Sequence, residues 1–297
     1  MPPSATSVSR IIHRAWRGTP LGLGIVIMCS SLGLAVFGPV IAPYDPQIPV
    51  SAAAEPPPRL RDLAPLILKS LQGRLANPVH WFGTDDSGLD IFSRVIAAPR
   101  VDVLIALAAT GLSLGAGTLL GLIAGYYSNW MTEALTRASD VIQSFPLFIL
   151  AMVLVALTGR NVGNIIVTLA VLFIPVYLRL TRAQVLSERT RNYVEAARAT
   201  GNRELVIALR HVLPNSLAPS LIQAPITIGA AILQTAGISF VGAGVRPPTP
   251  EWGIMIASSA NSIILGEWWP SVFPGLAISL TVLGYALVGN ALENRYG

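Results

Sequence analysis

Six long stretches of this chain carry no charge, and shorter polar segments separate them. They lie between Arg17 and Asp45, Asp102 and Glu133, Asp140 and Arg160, Arg160 and Arg179, His211 and Arg246, and Glu267 and Glu293. A helix needs ~20 apolar residues to cross the hydrocarbon of a bilayer. Each gap holds one such helix, near 21–42, 103–126, 141–159, 163–180, 219–241 and 271–291. The pattern predicts an all-α membrane protein with six transmembrane helices. Pro146, Pro175 and Pro225 are expected to kink or start helices, which a bundle tolerates where neighbours satisfy the freed backbone groups.

The polar stretch "YVEAARATGNRELVIALRHVLPN", Tyr193–Asn215, breaks this pattern. Tyr193, Ala196, Ala197 and Thr200 recur at helical spacing. Gly201 suits a left-handed stop. Asn202 is placed to cap a second helix, with Glu204 in its first turn. Leu205, Leu209 and Val212 give that helix an apolar stripe, and Pro214 limits its end. The expectation is helix, glycine corner, helix. Pattern alone leaves two uses open: a loop packed on its own bundle, or a surface on which Ala196 and Ala197 let a partner approach closely.

Charge sets the expected orientation. Nineteen of the 20 basic residues are Arg, Lys69 being the exception. With the N-terminus inside, Arg10, Arg14, Arg17, Arg137, the seven Arg of 179–210 and Arg295 all fall on the inner side. The short outer loops keep Arg160 and Arg246, and the six basic residues of 43–100 lie in a loop near the ~60-residue length where the rule loses force, so the count favours this orientation. Both termini and the 193–215 insert are then cytoplasmic. The chain divides into 1–42 (an interfacial segment and the first span), an external loop 43–100, and a core 101–297 holding five spans and a cytoplasmic loop at 181–218. Around Trp16 the basic face of 8–18 suits either an interfacial helix or a fraying tail. The apolar run after it is longer than a signal peptide's and lacks a cleavage site, so it reads as an uncleaved anchor.

Composition agrees with a bilayer as solvent: 12% of the 297 residues are charged, and mean hydropathy is +0.61. Soluble domains run nearer a quarter charged. The lone Cys29 excludes an internal disulfide, and three scattered His give no metal-ligand spacing. No aromatic-rich basic patch points to nucleic acid. Asp85, Asp86 and Asp90 fail the calcium-loop spacing. They read instead as a turn and an N-cap for a short helix over 89–96. No G-x-x-x-x-G-K-[ST] occurs, so ATP is not expected to bind this chain in a phosphate loop. Nor does a nucleophile or zincin signature. Gly117, Gly121 and Gly125 recur every four residues, which permits close approach of a second helix. Gln234 and Thr235 are polar within the fifth span. They either face a translocation path or bond a neighbouring helix.

The insert resembles the cytoplasmic EAA motif of ABC-importer permeases, through Glu195-Ala196-Ala197, Gly201 and Leu213-Pro214. With Tyr193 and Arg210-His211 included, it looks like the dipeptide/oligopeptide/nickel subfamily. "FGTDDSGLDIFSR" and "GISFVGAGVRPPTPEWG" are similar to that subfamily's segments before the second span and after the fifth. The resemblance covers nearly the whole chain. It departs at Leu89, where Arg is usual, at Thr235, where Glu is usual, and at the C-terminus. It implies a type I ABC importer permease fold and an inner-membrane subunit of a bacterial ATP-driven importer. The implied partners are a homologous second permease, two cytoplasmic ATPases that bind the ATP and Mg, an extracytoplasmic binding protein and membrane lipid. Tyr193, Glu195, Ala196, Ala197, Gly201, Arg210 and Pro214 would then couple to the ATPases. Di- or oligopeptides are the implied substrate, with nickel, glutathione or opines as alternatives. An ion-coupled secondary transporter is the competing class. It would place ionisable residues at mid-membrane, where these spans carry only amides and hydroxyls.

Overall fold

The computed structural model describes residues 5–59, 61–62, 65–66, 79–127 and 129–296, with side chains from Pro20 onward. The basic face of 8–18 therefore lies outside the described side chains, and Lys69 outside the described residues. No strand occurs among the described residues, only one isolated bridge between Thr84 and Asp90.

Among the described residues five helices are long and apolar enough to cross a membrane, and a bent pair, taken as one span, makes a sixth. α1 (Ala5–Ile41) crosses over Pro20–Ile41. The short α2 (Ile91–Ala97) leads into α3 (Pro99–Tyr126). α4 (Trp130–Ser144) and α5 (Leu147–Thr158) meet at 95°. α6 (Val162–Glu188), α10 (Ala218–Phe240) and α12 (Trp269–Tyr296) complete the bundle. Between α6 and α10 lie α7 (Asn192–Ala199), α8 (Glu204–Ile207) and α9 (Leu213–Ser216), and α11 (Trp252–Ser258) lies before α12.

The third crossing differs from the straight 141–159 span expected. Its apolar helix is α5 alone, 12 residues long. Phe145 is extended (φ −90°, ψ 145°) because the proline that follows disfavours helical backbone before it. Pro146, with no N–H to give, then opens α5. Gly159 at φ +105° closes it. α4 is amphipathic and starts on an Asn129–Thr132 capping box. α6 runs past the expected limit at 180 to Glu188, with Arg179 and Arg182 inside it.

The glycine stripe finds its partner in α6. A Cβ on Gly117 would stand 2.6 Å from Tyr177 Cβ, on Gly121 2.7 Å from the Leu178 carbonyl, and on Gly125 2.8 Å from Val185 Cβ. The partners advance in step with the glycines, so α3 and α6 run parallel, backbone against backbone. Gly111 and Gly115 face open space.

A polar lattice braces the end of the bundle formed by α2, α11 and the segments around them. Asp90 caps α2 through Ser93 N (2.8 Å) and also holds His80 Nδ1 (2.8 Å). Asp85 accepts from the N–H groups of Ser87 and Leu89 and pairs with buried Arg94 at 3.3 Å. The expected 89–96 helix thus begins at Ile91 on the Asp90 cap. Trp252 Nε1 donates to Val95 O (3.1 Å), and Trp269 Nε1 to Thr84 O (3.0 Å).

Two fully buried carboxyls, Asp102 and Glu251, face each other beneath this lattice. Glu251 accepts from the N–H groups of Gly253 and Ile254, both at 2.8 Å, and Asp102 Oδ2 accepts from Trp252 N at 3.2 Å. As a carboxylate, Asp102 Oδ1 would have no partner. A proton shared between the two carboxyls gives it one. Burial pushes the Glu251 carboxyl above its ordinary range, so the folded chain holds a proton that the unfolded chain releases. Stability then falls as pH rises from the ordinary carboxylate range through the raised folded value. Asp102→Asn supplies the donor without the proton. Relative to the wild type it should melt roughly 2–4 °C higher near about pH 8 than near about pH 5, the shift worth about 1 kcal/mol. Melting curves in detergent at the two pH values check this; a variant destabilised equally at both contradicts the shared proton.

Candidate functional site

The insert folds as two short helices around a corner. Gly201 sits at φ +82°, and its N–H reaches Arg198 O at 2.9 Å. Asn202 does not cap the second helix as expected. Its side-chain amide donates back to Ala197 O (3.1 Å) and Thr200 Oγ1 (2.9 Å), joining its own N–H and the Thr200 hydroxyl on the Ala197 carbonyl at the end of α7. The N-cap position of α8 falls to Arg203.

Pro214 does not end the second helix either. α8 widens into a π turn over Ala208–Val212, where Leu213 N–H bonds to Ala208 O, and α9 continues through Pro214. Proline clashes with the carbonyl four residues back and offers no donor. The wider turn absorbs both defects. It also breaks the 3.6-residue period, so Val212 parts company with Leu205 and Leu209.

The consequence is a sharp division of faces. Val194, Ile207, Ala208 and Val212 are buried against Leu122, Tyr126 and Val185 of the bundle, with Ala197 half-buried beside them. Leu205 and Leu209 are 61% and 44% exposed, and Val206 lies beside them at the surface. Glu195, Ala196, Arg210 and Pro214 are exposed too. No hydrogen bond or ion pair within the described residues engages the Glu195 carboxylate or the Arg210 guanidinium. Tyr193 is at the surface, its hydroxyl donating to Glu188 Oε2 at 2.8 Å. Partial burial, and then this contact with a carboxylate, push its hydroxyl up to about 12.

Residues that sequence spacing could not select lock the corner to α3. Arg198 Nε donates to Glu204 Oε1 at 2.9 Å across the Gly201 turn, and Tyr126 OH donates to Glu204 Oε2. The Arg198 hydrogen bond holds the Glu204 carboxyl below its ordinary range. That contribution is present above the unfolded pKa and is lost as pH falls through the folded one. Arg189 Nη1 donates to the carbonyls of Gly125 and Tyr126 (3.0 and 3.2 Å), closing the end of α3. Tyr126 lies 78 positions from Glu204, so no local pattern joins them.

The two polar residues of the fifth span part ways. Thr235 is fully buried within the chain, and its hydroxyl has no hydrogen-bond partner. Gln234 is half-buried, and its Oε1 is likewise without a partner. Neither is brought near the insert.

Comparison with known proteins fits this architecture. Residues 117–297 match the family described as binding-protein-dependent transport system inner membrane component. The chain belongs to that family. A dipeptide transport system permease protein of Alkalihalophilus pseudofirmus is 37% identical over 272 residues, covering 92% of this chain and 83% of that protein. A di/tripeptide transport system permease protein of Pseudomonas aeruginosa is 38% identical, over 91% of this chain and 85% of its own. A glutathione transport system permease protein of Pectobacterium atrosepticum is 36% identical, over 72% and 71%. The family gives the insert its setting: this is an inner-membrane permease subunit of an ABC importer, and its long helices are the membrane-embedded part.

Proposed function

We propose that this permease subunit imports di- or tripeptides, with energy delivered through the exposed face of the insert. The observation that carries the reading is the division of that segment. One face is fixed to α3 and α6, while Leu205, Val206 and Leu209 stand in water beside unpaired Glu195 and Arg210. Exposed apolar side chains on a rigid base suit a protein groove. Two ATPase subunits inside, a second permease beside this chain and a binding protein outside supply what this chain lacks. ATP-driven closure of the ATPases pushes the corner, and the bundle shifts between two packings that open to opposite sides. The names of the relatives favour short peptides, with glutathione as the alternative substrate. Thr235, enclosed by its own chain, no longer suits a path wall, and Gln234 keeps that role.

Uptake of a labelled dipeptide into vesicles holding the assembled transporter tests the reading. Uptake should need ATP and the binding protein, and Gln234→Leu should change the order in which peptides and glutathione compete. Uptake driven by an ion gradient without ATP would overturn it in favour of a secondary transporter. Leu205→Asp with Leu209→Asp should leave the melting temperature nearly unchanged, since both side chains are exposed. The same pair should lower ATPase co-purification by about tenfold or more, the factor a loss of 1.4 kcal/mol gives. Full co-purification would return the insert to a loop serving its own bundle.

The arginine asymmetry supports a cytoplasmic position for both termini and the insert. In a Cys29→Ser background, Ser51→Cys should react with an impermeant reagent from outside and Asn202→Cys from inside only; the reverse pattern inverts the topology.

A further inference from the structure

A groove of about 650 Å³ runs between α1 and α3 on the surface of the bundle. Its walls are apolar: Val36 and Val40 on α1, Val103, Leu104 and Leu107 on α3. Val103 forms a buried floor, while Val36, Val40, Leu104 and Leu107 stay exposed. The two helices run antiparallel, so Val40 stands at the same end as Arg100, and Val36 lies deeper. From Arg100 to Leu107 the groove descends about 10 Å at the helical rise, part-way into one leaflet.

Arg100 marks the mouth. It lines the groove, is exposed, and no described residue gives it an ion pair or hydrogen bond. Asp102, the nearest acid in sequence, is buried and turned inward to Trp252 N and Glu251. A cation at headgroup level above an apolar cleft matches one chemistry: a phosphate attached to an acyl chain. A soluble peptide has no use for a cleft open to lipid, and a neutral surface would not need the unpaired guanidinium. We propose that the α1–α3 groove holds one acyl chain of an anionic phospholipid whose phosphate pairs with Arg100. The site is independent of substrate identity and lies on the face of α1 turned away from α12.

The assembled transporter, incorporated in mixed phosphatidylethanolamine–phosphatidylglycerol vesicles and then extracted in mild detergent, reports on the site through the phosphatidylglycerol it retains. Arg100→Gln should lower that retention about fivefold, the factor that one basic residue near a membrane surface supplies. Val36→Trp, which fills the exposed cleft and leaves the charge, should lower it comparably. Arg100→Lys should restore most of it, and retained phosphatidylethanolamine should not change. Loss with Arg100→Gln but not with Val36→Trp would mean plain surface attraction and would overturn the site. Unchanged retention in both variants, or an equal loss of both lipids, would overturn it as well. So would efficient cross-linking of Val36→Cys (in the Cys29→Ser background) to the second permease, which would show that protein covers the groove.

Discussion

Gly201→Val should leave the chain folded in the membrane and sever it from its ATPases. The corner residue sits at φ +82° with nothing within 4 Å of where a Cβ would stand. The obstacle is therefore backbone conformation and not space. A β-branched residue in the left-handed region costs on the order of 1–2 kcal/mol or more. The cheapest relief is to open the turn, which pulls Asn202 off Ala197 O and separates Arg198 from Glu204. The exposed face would then lose its fixed base. ATPase co-purification and binding-protein-stimulated hydrolysis should fall about tenfold, as for 1.4 kcal/mol. Gly201→Asn should recover most of the loss, because asparagine tolerates this conformation. A valine variant with wild-type coupling would show that the corner's shape is irrelevant. Steric block is better tested at Ala196 than at Ala197. The latter is half-buried against the bundle, so bulk there would disturb the chain's own packing as well as docking.

Gly121→Leu is expected to be the most damaging change in the bundle. Its Cβ would meet the Leu178 carbonyl at 2.7 Å and Thr181 Cβ at 2.8 Å, closer than real Cβ contacts come. One obstacle is backbone and cannot rotate away. α3 would have to retreat from α6 along the whole Gly117–Gly125 stripe. Overpacking typically costs about 1–3 kcal/mol, against a total stability of roughly 5–15 kcal/mol. The added γ and δ carbons press toward the upper end. The membrane yield of folded chain should drop sharply, with a melting temperature several degrees lower. Gly115→Ala, where the space is open, should be neutral or slightly stabilising, since glycine inside a helix costs about 1 kcal/mol relative to alanine. Equal behaviour of the two variants would deny the close α3–α6 contact.

The number and order of membrane crossings were legible because charge depletion is a one-dimensional signal. Gly201 was legible for a related reason: a helix stop is local. The break at Phe145-Pro146 was visible as a proline, but its 95° angle depends on what α4 packs against. The division of the insert was not legible, because a π turn changes the period on which stripe reading relies. Asn202 was assigned to the wrong helix for a similar reason. An amide between two helix ends can serve either, and its reach to Ala197 O decides. Burial of Thr235 and the Asp102–Glu251 pair needed three dimensions. The two acids are separated by 149 positions in the sequence, and nothing nearby hints that they meet.

The shortness of α5 bears on whether this chain can live alone. Twelve residues rise ~18 Å, against roughly 30 Å of hydrocarbon. A solitary copy in lipid would have to thin the bilayer locally or drag the end of α4, with Arg137 and Asp140, into oil, and both are unfavourable. A neighbouring subunit at that place would remove the mismatch by replacing lipid with protein and water. The third crossing is thus an unfinished wall, which such a neighbour would complete.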